Sequence, residues 1–288
     1  MRSIRALKFT SVGLVVLLLG VAAQAETTLQ KIAKSGEFVI GYRTDASPLS
    51  YENANGEPAG YSVDFCRRIA AAVKAHLGRD DIKAKFVRVK SADRITAVQN
   101  GLIDIECGST TITLSRMAKV DFTIPTFVTG GSILSLADSN IQVLSDLAGK
   151  KVAVEKGTTT VDQLRAYLEE NLIDAEVVLL DNRTAAMQQL TNGRVDAFAS
   201  DQIVLIGQVI EALEPKRYAL VDETFSYEPY GFVIRRNEAE FRLIANRAIS
   251  QLYRSGQHVQ IYNRWIGRTG VRPSPMLVAM FELNTIPE

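Results

Sequence analysis

Residues 95–111 read ITAVQNGLIDIECGSTT, and residues 187–203 read MQQLTNGRVDAFASDQI. Each stretch is a helical segment, an Asn-Gly stop, two residues, an Asp, a short strand-like run and a polar loop. Glycine suits the left-handed backbone that ends a helix. One unit repeated with the same NG-x-x-D spacing predicts two similar α/β lobes.

The rest of the chain fits that plan. Phe38-Val39-Ile40-Gly41-Tyr42 reads as a buried strand, and Tyr61, Phe65, Ile69, Val73 and Leu77 recur every four residues along one helix face. Phe86-Val87-Arg88-Val89 reads as a second strand. Ser91 can cap a helix ending at Asn100-Gly101, and residues 103–107 form a third strand. Strand–helix alternation of this kind implies an α/β fold with largely parallel sheets. Its ligand loops lie at the carboxyl ends of the strands, and two such edges facing each other make a cleft. Pro125, Gly130-Gly131 and Pro229 mark two chain crossings, at 125–131 and 222–231. The expected division is a discontinuous first lobe, 26–128 and 229–288, with 129–228 inserted as the second. A strand at 232–234 and helices at 239–255 and 257–265 return to the first lobe. The tail after Gly270, with Pro273 and Pro275, is expected to wrap the surface.

The chain starts with a secretory signal. Arg2, Arg5 and Lys8 precede a short apolar run at 12–23, and Ala23-Gln24-Ala25 has the small-x-small cleavage pattern. The expected mature protein begins at Glu26, is soluble and occupies the periplasm. Lys and Arg number 33 against 32 Asp and Glu. Loss of three cations with the signal leaves a near-neutral chain that lacks the basic signature of a nucleic-acid binder. Cys66 and Cys107 are the only cysteines: in an oxidising compartment they form a disulfide, or they are two buried free thiols. His76 and His258 do not sit at ligand spacing with a cysteine, so no metal site is expected.

Phosphate-loop, dinucleotide and nucleophile-elbow motifs are all missing, and no catalytic residue or cofactor is expected. Four polar loops stand out instead. Gly41-Tyr42-Arg43-Thr44-Asp45 ends the first strand, and Arg43 there either points into the cleft or is a solvated loop residue. Gly108-Ser109-Thr110-Thr111, followed by Arg116, offers hydroxyls, backbone N–H groups and an arginine fork to a carboxylate. Gly157-Thr158-Thr159-Thr160 opens a helix, either as a plain cap or as a ligand contact. Ser200-Asp201-Gln202 places Asp201 to accept a ligand ammonium or to cap the helix at 203–213. Arg116 with Ser109 and Thr111 can hold an α-carboxylate while Asp201 neutralises an α-ammonium, which is recognition of a zwitterion from two lobes.

These stretches resemble the periplasmic solute-binding proteins of amino-acid ABC importers, family 3, and within it the glutamate/aspartate-binding branch. The resemblance runs over nearly the whole mature chain. It is carried by Glu106-Cys107-Gly108-Ser109-Thr110-Thr111, Gly157-Thr158-Thr159 and Tyr230-Gly231 in order. It implies a type II two-lobed fold with a hinge of two crossover strands, closing on an amino acid and delivering it, as a monomer, to an inner-membrane permease. It also implies residue roles: Arg116 and Thr111 on the α-carboxylate and Asp201 on the α-ammonium. Arg43, Ser91, Arg94 and Ser109 would line the side-chain pocket, with Thr159 as a contact from the second lobe. The sequence departs from the branch at Asn182-Arg183-Thr184, where a histidine is common. Arg183 either takes that place or turns outward.

Arg43, Arg94 and Arg116 against Asp201 leave an excess of positive charge, so the expected ligand is L-glutamate or L-aspartate. Glutamine or asparagine, or a broader range of amino acids, is the alternative. A periplasmic dehydratase on the same fold and a receptor feeding a membrane sensor are rival readings.

Overall fold

The computed structural model describes residues 26–288. The signal-peptide reading lies outside those residues.

Two five-stranded sheets are built to one plan. In the first, the strands run in the order Lys83–Arg88, Glu37–Tyr42, Ile105–Glu106, Val233–Ile234, Asp121–Phe122. The second runs Glu176–Leu180, Lys151–Glu155, Ala197–Asp201, Gly131–Leu136, Tyr218–Leu220. In both, the first three strands are parallel and the last two pairings are antiparallel. The two repeated segments supply the middle strand of each sheet, which is why they share a spacing. The chain passes between the sheets at Phe127–Thr129 and Glu228–Tyr230, two strands that pair antiparallel to each other.

Sequence periodicity explains the packing. The helix Tyr61–Leu77 lays Tyr61, Phe65, Ile69 and Val73 on the first sheet with no residual exposure. Full burial of side chains of this size stabilises by roughly 1.5–3 kcal/mol each. The second sheet carries apolar layers on both faces, with Leu164 and Leu168 against one and Leu190 and Leu205 against the other. Cys66 and Cys107 are joined in a disulfide. It ties the helix to the strand end that leads into Gly108-Ser109.

Three local expectations are corrected. The helix after Ser91 begins at Arg94, with Asp93 at its N-cap, and the Ser91 hydroxyl instead accepts from the Arg43 guanidinium. The tail after Gly270 does more than wrap the surface. It forms the helix Pro275–Leu283, capped by the Ser274 hydroxyl on the Leu277 N–H, and buries Leu277 and Phe281. Pro275 is tolerated because its missing N–H falls in the first helical turn. Thirdly, Asp201 holds the N-cap position of the helix Gln202–Glu211, yet its side chain makes no capping bond.

Candidate ligand-binding site

The carboxyl ends of the central strands of both sheets meet, and the nine residues singled out in the sequence gather there. Arg43, Arg94 and Arg183 are each 1% exposed and rank among the largest fully buried side chains. Ser91, Ser109, Thr111 and Asp201 are buried beside them. Gly108 makes room for this crowding. A Cβ there would sit 2.1 Å from Glu106 Oε1 and 3.0 Å from Arg43 Cγ.

Two arginines are already paired. Arg43 Nη2 donates to Asp45 Oδ1 at 2.7 Å and to Glu155 Oε1 at 2.8 Å. Arg183 turns inward: its backbone N–H donates to Asp45 Oδ2 at 3.1 Å, and its Nε lies 3.3 Å from Glu155 Oε2. Its Nη2 and Nε also donate to the Ser109 and Ser200 hydroxyls, each at 3.4 Å. Burial disfavours charge on Arg183, but Glu155 and Asp45 outweigh it and its pKa is raised. Burial likewise opposes ionisation of Asp45, and Arg43 and Arg183 overcome it, so the Asp45 pKa is lowered.

The other two arginines are not paired. Among the described residues, Arg94 and Arg116 enter no ion pair. Arg94 Nη1 donates to the Ser109 carbonyl at 3.2 Å, and its Nε is buried without a partner. Burial, with Arg116 as a like-charged neighbour, lowers the Arg94 pKa to about 9. Arg116 Nη1 donates to the Thr111 carbonyl at 2.8 Å, and burial lowers its pKa too. Asp201 completes the set. Its Oδ1 accepts no hydrogen bond of regular geometry; the Tyr230 hydroxyl beside it favours the ionised form, but burial, followed by the nearby Glu228 carboxylate, pushes the pKa up to about 6.

Glu228 was not anticipated. It lies in the crossing strand and accepts from Thr111 Oγ1 at 2.5 Å and Thr159 Oγ1 at 2.8 Å, joining hydroxyls from the two sheets. Asp45, Glu106 and Glu155 were missed as well. Glu155 ends a strand at its carboxyl edge, where ligand loops were expected, so position could have revealed it. The omission changes the charge count. Arg43, Arg94, Arg116 and Arg183 face Asp45, Glu106, Glu155, Asp201 and Glu228, so the excess of positive charge inferred from sequence is not present.

Two α/β sheets meeting at their strand ends, with the buried Arg94, the half-buried Arg116 and the buried Asp201 between them and outside any ion pair among the described residues, define a two-domain periplasmic binding protein of the type II kind. The chain belongs to the bacterial extracellular solute-binding proteins, family 3, whose model matches residues 38–268. It is a binding protein, not an enzyme. It is 34% identical over 246 residues to the L-glutamate/L-aspartate-binding protein of Pseudomonas aeruginosa, covering 85% of this chain and 82% of the relative. It is 32% identical over 241 residues to the ABC transporter glutamine-binding protein GlnH of Bacillus subtilis, covering 83% and 84%. Among solved structures, an ancestral arginine-binding protein bound to glutamine is similar, with a TM-score of 0.72 and 31% identity over 81% of this chain and 98% of that one.

Proposed function

We propose that this protein is the extracytoplasmic substrate-binding component of an amino-acid ABC importer. Residues 1–25 export it as a signal peptide. The first lobe, 26–128 with 229–288, and the second, 129–228, close on the ligand about a hinge at the paired strands Phe127–Thr129 and Glu228–Tyr230. The closed monomer then delivers its cargo to an inner-membrane permease without a cofactor.

One observation carries this reading: a half-buried Arg116 and a buried Asp201 are opposite in charge, and neither enters an ion pair among the described residues. A buried ion is costly without a partner. An α-amino acid supplies both partners at once, its carboxylate to Arg116 and the Thr111 hydroxyl, its ammonium to Asp201. Thr159 adds a contact from the second lobe. Arg94, Ser91 and Ser109, with Arg43 and Arg183 behind them, line the side-chain end.

Two side-chain classes fit. L-glutamate or L-aspartate is supported by the unpaired Arg94 and by the glutamate/aspartate-binding relatives. Glutamine or asparagine is supported by the pairing of Arg43 and Arg183 with Asp45 and Glu155, and by the glutamine-binding relatives. Calorimetric titration of refolded, ligand-free protein with the common amino acids tests the proposal. Tight binding of at least one polar amino acid is expected; no heat from any of them would reject the transport role.

A further inference from the structure

Four ionised side chains close a ring between the two sheets. Arg43 and Asp45 follow the strand Glu37–Tyr42 of the first sheet. Glu155 ends the strand Lys151–Glu155 of the second, and Arg183 opens the helix Arg183–Thr191. Signs alternate around the ring: Arg43 to Asp45 at 2.7 Å, Arg43 to Glu155 at 2.8 Å, Arg183 to Glu155 at 3.3 Å and Arg183 to Asp45 at 3.9 Å. It is therefore neutral within itself, and all four members are buried or nearly so.

The ring's hydrogen bonding is incomplete in a particular way. Glu155 Oε2 is a buried acceptor with no hydrogen bond, and Arg183 Nη1 and Arg43 Nε are buried donors with none. An unsatisfied acceptor thus stands beside unsatisfied donors. A carboxylate from a ligand could accept from the donors, but it would bring a second negative charge against Glu155 in a low-dielectric site. A carboxamide has both halves: its oxygen accepts from a guanidinium, and its NH2 donates to Glu155 Oε2.

We propose that Glu155 is the specificity-determining residue of the cleft, withdrawing Arg43 and Arg183 from an anionic side chain and selecting the carboxamide class, glutamine or asparagine. This rests on the amino-acid-binding reading above and narrows it. Asp45 is the positioning partner that keeps both guanidiniums in place when Glu155 turns to the ligand.

The test is a paired calorimetric comparison of glutamine and glutamate on the wild-type protein and on Glu155→Gln, which removes the charge and keeps the shape. Wild type should bind glutamine at least about tenfold more tightly than glutamate, because a site built for a hydrogen-bonding group rejects an analogue that leaves its buried atoms unpaired. In Glu155→Gln the ratio should move toward glutamate by about tenfold or more, as the two guanidiniums are left with Asp45 as their one shared counter-ion. A wild-type preference for glutamate overturns the proposal and leaves the transport role standing, as does an unchanged ratio in Glu155→Gln. A wild-type protein that binds no amino acid sinks both together. Should Glu155→Gln fail to fold, the wild-type comparison alone decides.

Discussion

Arg43 Nη2 and Glu155 Oε1 lie 2.8 Å apart across the meeting edges of two sheets, although 112 residues separate them in the chain. Both are 1% exposed, so neither charge is solvated while the edges touch. Removing one member of a buried pair typically costs roughly 3–5 kcal/mol, because the other charge is left without compensation. The proposed hinge motion would relieve that cost, since separation of the lobes would readmit water. Arg43→Ala should therefore open the protein rather than unfold it. Small-angle scattering at a ligand concentration that closes the wild type should show a larger radius of gyration. An unchanged radius would mean that the pair does not help hold the lobes together.

Arg116 and Arg94 should behave differently when truncated. In the proposed pose, Arg116→Ala would remove the carboxylate partner common to every amino acid, and Asp201→Asn would remove the ammonium partner. Either should weaken all amino acids by roughly 100-fold, the scale of a charge-assisted bond to a buried group. Arg94→Ala should hurt acidic ligands more than neutral ones. Equal losses for glutamate and glutamine by calorimetry would remove Arg94 from the side-chain pocket.

Asp201 should give binding a pH dependence. Its folded pKa is about 6 against an ordinary 3.8, raised by burial and by Glu228. In the ligand-free protein a raised carboxylate pKa favours the protonated form. Stability from this group is therefore greatest below about pH 4 and declines as pH rises to 6. A ligand ammonium reverses that preference, since it pairs with the ionised form. Affinity should fall as pH drops below about 6, and binding near that pH should release a proton. Titrations in two buffers of different ionisation enthalpy would detect the proton. An affinity that is flat from pH 5 to pH 7 would separate Asp201 from the ammonium.

Gly207 offers a wedge that does not strain the backbone. It sits in the helix Gln202–Glu211 of the second sheet's layer, and a Cβ there would lie 2.0 Å from the Ser47 carbonyl oxygen, in the chain leading from the first sheet. Alanine is a better helix former than glycine, so the isolated helix is not harmed. Gly207→Ala should keep its fold, by circular dichroism and thermal midpoint, while the lobes fail to close. Affinity for all amino acids should drop by about tenfold or more, because the binding-competent state is depleted. Wild-type affinity in this variant would show that the two surfaces do not close on each other in solution.

Much of the fold was legible in the chain. The matched NG-x-x-D units anticipated two sheets of one design, because a helix stop and a strand start are local events decided by glycine and by apolar periodicity. The four-residue recurrence from Tyr61 to Val73 identified a helix face that is fully buried. The helix Pro275–Leu283 was not expected, because Pro273 and Pro275 together signal an irregular segment and the apolar groove that receives Leu277 and Phe281 is assembled from distant segments.

The site divides in the same way. Arg43, Ser109, Thr111, Arg116, Thr159 and Asp201 could be picked from sequence because they lie in or just after polar loops at strand ends and helix starts, whereas Ser91, Arg94 and Arg183 joined the site through the family resemblance. Their state could not. A guanidinium on a loop reads the same whether it is free or held. That Arg43 and Arg183 are held by Asp45 and Glu155, while Arg94, Arg116 and Asp201 stand unpaired, depends on distances of a few ångströms between residues far apart in the chain. Sequence by itself determined the repeated α/β plan and the inventory of polar loops, since both follow from local propensity and periodicity. Only the tertiary structure decided which charges cancel, because electrostatic compensation in a buried site falls off with distance through space and takes no account of separation along the chain.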